Sequence, residues 1–157
     1  MVSIYVRKRV LGFTFIGILI IVAISGIALS GVGIVWKQTI QREREKELLF
    51  IGDQYRAAIV SYYESTPGGA KQYPKKLEDL LLDNRFPVVK RHIRRLYDDP
   101  MTNNQPWGLI KQQDLSVGVY SLSQQSTIKK TGFPTLYESF KEASTYDEWK
   151  FIAVNNS

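Results

Sequence analysis

Between Arg9 and Lys37 the chain carries no charged residue. The stretch Gly12–Trp36 reads GFTFIGILIIVAISGIALSGVGIVW. An uncharged apolar run longer than about 20 residues spans the roughly 30 Å hydrocarbon core of a bilayer as a helix. Arg7, Lys8 and Arg9 directly precede it, which keeps the N-terminus cytoplasmic and sends the bulk of the chain across the membrane. The flank after it, QREREKE, is mixed in sign and hardly opposes that orientation. A cleaved secretory signal would need an apolar core of about 7–15 residues ahead of a small-residue site. Ala28-Leu29-Ser30 matches loosely, but the run before it is too long and continues to Trp36. Gly26 and Ser30 sit four apart with Gly33 one turn later, a spacing that lets helix backbones approach closely in lipid. Glycine is also common in membrane helices generally, so both readings stay open. Trp36 suits the headgroup boundary.

The helix is expected to continue past the membrane. Lys37–Glu64 contains no proline and a single glycine, Gly52, and good helix formers dominate. Glu43/Lys46 and Arg44/Glu47 make opposite-charge pairs at i,i+3. Leu48, Ile51, Tyr55, Ala58, Ile59 and Tyr62 recur at three- and four-residue steps and mark one apolar face. Ser65-Thr66-Pro67-Gly68-Gly69 is the stop. A short helix follows with Pro74 at its first position and Leu77, Leu80 and Leu81 toward the core. Trp107–Ile110, Val117–Leu122 and Trp149–Val154 read as short strands, Ser123–Gly132 as a polar loop, and Leu136–Ala143 as another helix. A long helix followed by several short strands predicts an α+β fold with a small antiparallel sheet. The boundaries are a leader at 1–12, a transmembrane half-helix at 13–36, an amphipathic half-helix at 37–64 and a small α+β head at 65–157. No internal repeat is present.

Several chemistries are excluded. The chain has no cysteine, so disulfides, thiolate metal sites and cysteine nucleophiles are ruled out. Hydrolase, zinc-protease and phosphate-loop motifs are missing. Gly31-Val32-Gly33 lacks a third glycine and lies inside the apolar run. His92 is the only histidine. It sits among Lys90, Arg91, Arg94 and Arg95, which suits neither a metal ligand nor a general base, and it is expected on the surface. Asp98-Asp99-Pro100 reads as a turn rather than a cation site. The formal net charge is +6, half of it from Arg7–Arg9, so the excess elsewhere is mild. The cluster Lys90–Arg95 admits three readings: a solvated face, a contact of Arg91, Arg94 and Arg95 to Glu142 or Asp147-Glu148 of a neighbouring subunit, or phosphate and DNA binding. Only Tyr97 supplies an aromatic neighbour, so nucleic acid is the least supported partner. Trp107 and Trp149 read as core or interface anchors.

A leader ending in glycine, then GFT, then an uninterrupted apolar helix resembles the class III signal of type IV pilins and type II secretion pseudopilins. Tyr73-Pro74 with Leu77 and Leu80, then Arg94-Arg95-Leu96, Asp98-Asp99-Pro100 and Trp107-Gly108, is similar to the region after the stem in the major pseudopilin group. Tyr146–Phe151 is similar to that family's closing strand. The resemblance implies cleavage between Gly12 and Phe13 by a prepilin peptidase and methylation of the new amino terminus at Phe13. It also implies a type IV pilin-like fold. Three features depart from it. Gly17 occupies the fifth mature position, where most of the family has a glutamate thought to neutralise a neighbour's amino-terminal charge within the bilayer. Ile34 replaces a helix-bending proline. Ser121–Phe133, matching a calcium loop, holds no Asp or Glu, so no metal site is expected there.

The resulting expectation is a non-enzymatic, cofactor-free fibre subunit of a pseudopilus or related pilus, minor or divergent because of Gly17. Gly17, Gly26 and Ser30 lie on its assembly stem. Its implied partners are a prepilin peptidase, other pseudopilins or pilins along the stem, the inner-membrane assembly platform and the lipid bilayer. It would lie in a bacterial inner membrane with its head in the periplasm. The main alternative is a single-pass anchored periplasmic binding or scaffold domain that never polymerises. An anchored hydrolase and a DNA-uptake subunit are further alternatives.

Overall fold

A computed structural model describes residues 13–103 and 105–153; the side chains of residue 13 and of 27–35 lie outside that description. The leader 1–12 and Val154 also fall outside it. The chain divides into two units, Met1–Ile40 and Gln41–Ser157. Helix α1 runs Phe13–Glu64. Three strands follow, β1 at Gly108–Gln112, β2 at Leu115–Tyr120 and β3 at Lys150–Ile152. They form one antiparallel sheet in the order β1-β2-β3. The fold of the described residues is α+β.

In the first unit, α1 carries no charge before Lys37. Phe15, Ile16, Ile18, Leu19, Ile20, Ile21, Val22 and Ile24 are all more than half exposed. Among the described residues, no helix is long and apolar enough to cross a membrane. The expected span at 13–36 falls in part on the side chains outside the described set.

The second unit holds the hydrophobic core of the described residues. The apolar stripe foreseen on α1 is its floor: Leu48, Ile51, Tyr55, Ala58, Ile59 and Tyr62 are all buried. The sheet packs there because Leu109, Val119 and Phe151 are register partners in one cross-strand row. Val119 and Phe151 are fully buried. Gly52 makes the approach possible. A Cβ on it would lie 2.4 Å from the Phe151 ring. Trp107, Tyr137 and Phe140 close around Phe151 with edge-on rings 5.3–6.1 Å away. Trp107 and Trp149 are thus core residues, one of the two roles expected of them.

Local elements shift from their sequence-based bounds for identifiable reasons. The helix expected from Pro74 is a single 3-10 turn, Leu77–Leu80. Asp79 Oδ2 accepts the N–H groups of Lys75 and Lys76 at 3.0 Å each, which starts the turn after Pro74 rather than at it. Leu80 is buried, and Leu77 and Leu81 pack against the core, as expected. The 136–143 helix is a 3-10 segment, Thr135–Lys141, kinked at Tyr137. β1 and β2 meet in a hairpin whose two turn residues, Gln113 and Asp114, have φ of 50° and 64°. Two left-handed residues give the turn whose twist matches the strands. β3 begins only at Lys150, because the Trp149 N–H closes a 3-10 turn onto Tyr146 O at 3.1 Å.

Asp99 organises the expected turn from inside. It is fully buried, its Oδ1 accepts from Met101 N, and its Oδ2 accepts from Ser121 Oγ and Leu122 N. The Glu43–Lys46 pair forms at 2.7 Å on the surface. Arg44 and Glu47 do not pair; both line a groove of about 380 Å³ with Arg95, Tyr97 and Asp98.

Candidate functional site

Three regions carry the residues singled out in the sequence. The first is the stem. Gly12 lies outside the described residues and Phe13 is the first residue of α1. A methyl group placed on Gly17 or Gly26 would meet nothing within 4 Å. The Ser30 side chain lies outside the described set. Ser25 Oγ donates to Ile21 O at 2.8 Å, one turn back. That bond satisfies its hydroxyl within the helix and leaves the outer surface apolar.

The second region corrects the reading of His92. It is not a surface histidine: its side chain is fully buried, and so is that of Asp83. His92 Nε2 lies 3.1 Å from Asp83 Oδ2, and Nδ1 lies 2.8 Å from Ser61 Oγ. With Asp83 ionised, Nε2 carries the proton and Nδ1 accepts from the serine hydroxyl. Arg85 completes the group. Its Nε and Nη2 donate to the two Asp83 oxygens at 2.8 and 2.6 Å, and its backbone N–H adds a third bond at 3.1 Å. These Arg85 hydrogen bonds, against the desolvation of burial, hold the Asp83 carboxyl at about 2, below its ordinary range.

Arg85 also caps α1. The helix has no basic residue in its last turn. Instead Arg85 Nη2 donates to Tyr62 O at 2.9 Å and Nη1 to Thr66 Oγ1 at 2.8 Å. A cation at a helix C-terminus meets orphan carbonyls and the negative end of the dipole.

The string Ser61–His92–Asp83 invites a hydrolase reading, and its setting argues against one. Ser61 lies in the last turn of α1, where backbone carbonyls, not N–H groups, are available. A developing oxyanion needs donors aimed at it and would meet the negative end of the helix. The group ties the 83–92 loop to the helix end.

The third region is the basic cluster and its proposed acidic counterpart. Arg91, Arg94 and Arg95 are exposed. Arg95 stacks on the Tyr97 ring at 4.8 Å. Arg91 and Arg94 make no hydrogen bond or ion pair among the described residues. Glu142 caps the 3-10 segment from the surface. Asp147 accepts from Thr145 Oγ1, and Glu148 Oε2 accepts from Ser144 N at 2.6 Å.

A buried carboxylate outside these three regions escaped the sequence reading. Glu45, within the charged flank, is buried and reaches the polar loop. Its Oε1 accepts from Ile128 N at 3.1 Å, Lys129 N at 2.8 Å and Tyr146 OH at 3.3 Å. The signal was present: continuing the stripe one turn back from Leu48 lands on Glu45, then Gln41. Gln41 Nε2 donates to Ser126 O and to Tyr146 OH. The same loop carries a cation at the surface, with Lys130 Nζ donating to Thr127 Oγ1 at 2.6 Å and Ala143 O at 2.7 Å. The loop 121–133 is thus held to α1 by the Glu45 carboxylate on two of its N–H groups, and Lys130 joins Thr127 in the loop to Ala143 beyond it.

In comparisons with known proteins, the chain matches no protein family, no curated protein and no solved structure.

Proposed function

We propose that this chain is a non-enzymatic assembly subunit of the type IV pilin-like class. It would be cut between Gly12 and Phe13, methylated at Phe13 and held by its stem in a bacterial inner membrane. Its head would lie in the periplasm, and the stem would pack with other stems in a pseudopilus or related fibre. The observation that carries the reading is the first part of α1. It is uncharged from Phe13 to Trp36, and its described side chains before Ser25 are almost all large, apolar and exposed. A helix apolar all round must be surrounded by lipid or by other helices. The GFT junction, the amphipathic continuation and the α+β head add to it.

Mass spectrometry of the protein purified from its host tests this. The expected product begins at a methylated Phe13. An N-terminus at Met1, or near Gly31, would sink it. Gly17 favours a second reading, an anchored domain that does not polymerise, because the carboxylate that would pair with a neighbour's amino terminus is missing. Cysteines placed in pairs along 13–26 distinguish the two, since only stems packed together cross-link at helical spacing.

A further inference from the structure

The unit Gln41–Ser157 carries two patches on its described surface that complement each other. The first is the tip of the loop closed by the Asp83–Lys90 bridge. Val88 is 80% exposed and Val89 57%. Residues 84–97 contain five cations and no carboxylate. Three of the cations are engaged: Arg85 on Asp83, Lys90 on Ser65 Oγ at 2.8 Å, and Arg95 on Tyr97. Arg91 and Arg94 remain. The buried Asp83–Arg85–His92 group holds this loop to the helix end, so docking at the tip orders little new chain.

The second patch is the outer side of the 3-10 segment Thr135–Lys141 and the residues after it. Tyr137, Phe140 and Ala143 are buried at three-residue spacing, and Leu136, Ser139 and Glu142 form the exposed row beside them. Leu136 is 51% exposed. Residues 142–148 contain three carboxylates and no cation.

We infer that the two patches meet between copies of this chain. Val88 and Val89 of one subunit pack on Leu136 of the next, with Arg91 and Arg94 facing Glu142 and Glu148. This rests on the assembly reading above and names the contact between heads. A second copy is the occupant that fits. Each patch joins an exposed aliphatic group to an excess of one sign of charge; the two cations at the second, Lys141 and Lys130, are engaged by Glu138 and by Ala143 O. Contact of the basic tip with itself would set Arg91 and Arg94 against their own copies. Because the surfaces differ, the contact is head-to-tail, the kind that propagates rather than closing as a two-fold dimer. The tip is tied to Tyr62–Thr66, and the second patch to Asp53 through the Tyr137 hydroxyl and to Gln41 through Tyr146. They lie at different levels along α1, so successive copies are displaced along the helix axis.

The lack of cysteine supplies a clean test. Full-length Val88→Cys and Leu136→Cys copies, carrying different tags, are co-expressed in the host membrane and oxidised. A mixed-tag dimer is expected, and none from either variant expressed alone. Adding Arg91→Glu and Arg94→Glu to the first copy reduces the mixed dimer about tenfold or more, since like charges then face each other. Adding Glu142→Arg and Glu148→Arg to the second copy restores it. Dimers from Val88→Cys alone, or a mixed dimer indifferent to charge reversal, would overturn the inference. So would its absence while stem cysteines at 13–26 still cross-link, a result that leaves the assembly reading standing. Loss of stem cross-links as well removes both.

Discussion

Asp83 is the residue on which the end of α1 depends. It is fully buried and accepts from Arg85 and His92, while Arg85 in turn caps the helix. Its folded pKa of about 2 lies below the unfolded value of 3.8. A depressed carboxyl stabilises the fold fully above the unfolded value, and that stability is lost as pH falls through the folded one. A carboxyl held that far below its unfolded value contributes about 2–3 kcal/mol. Chemical denaturation at stepped pH is therefore expected to show stability falling between about pH 4 and pH 2. Asp83→Asn should flatten the slope in that window and lower stability at neutral pH, by leaving Arg85 and His92 without their anion. An unchanged slope would mean that other carboxylates govern acid unfolding. His92 itself shows what a local reading misses. Its sequence neighbours are cations, but its spatial neighbours are a carboxylate nine residues back and a serine on α1.

At the scale of elements, the helix and the sheet meet where Gly52 opposes Phe151. Gly52→Ala gains helix propensity of up to about 1 kcal/mol. The new methyl collides with a ring that three other aromatics hold in place, and overpacking typically costs about 1–3 kcal/mol. The net expectation is destabilisation by roughly 1–2 kcal/mol in denaturant titrations. A neutral or stabilised variant would show that the ring yields easily. The hairpin offers the opposite case. Gln113 and Asp114 both hold left-handed φ, which Asn-Gly adopts with far less strain. Gln113→Asn with Asp114→Gly should raise the melting temperature, by the equivalent of about 0.5–1 kcal/mol. Any fall would mean that the Gln113 or Asp114 side chain contributes an unrecognised contact. Strand alternation made the strands legible, but a turn built from Gln-Asp gave no hairpin signal.

For the molecule as a whole, the core among the described residues runs from Leu48 to Ala153. The second unit therefore carries a core of its own. A fragment beginning at Gln41 is expected to remain folded and to unfold cooperatively within a few degrees of the full chain. Circular dichroism melts check this, and a fragment without a cooperative transition would show that the first unit is needed for folding. The isolated surface pairs Glu43–Lys46 and Glu138–Lys141 contribute little, so melting should respond weakly to salt. The patches at Val88–Arg94 and Leu136–Glu148 belong to this scale too, because the contact inferred for them is one between whole copies of the chain.

The sequence by itself determined whatever repeats locally. The charge-free run, the six-residue stripe of α1, the stop after Glu64 and the α+β order of elements follow from spacings of two, three or four residues, which chain geometry converts directly into faces. Only the tertiary structure decided which polar groups are interior. Glu45 meets residues 128 and 129, His92 meets Ser61, and Arg85 reaches the end of a helix that lacks its own terminal cation. A buried charge is tolerated only where partners surround it, and those partners are set by how distant segments come together.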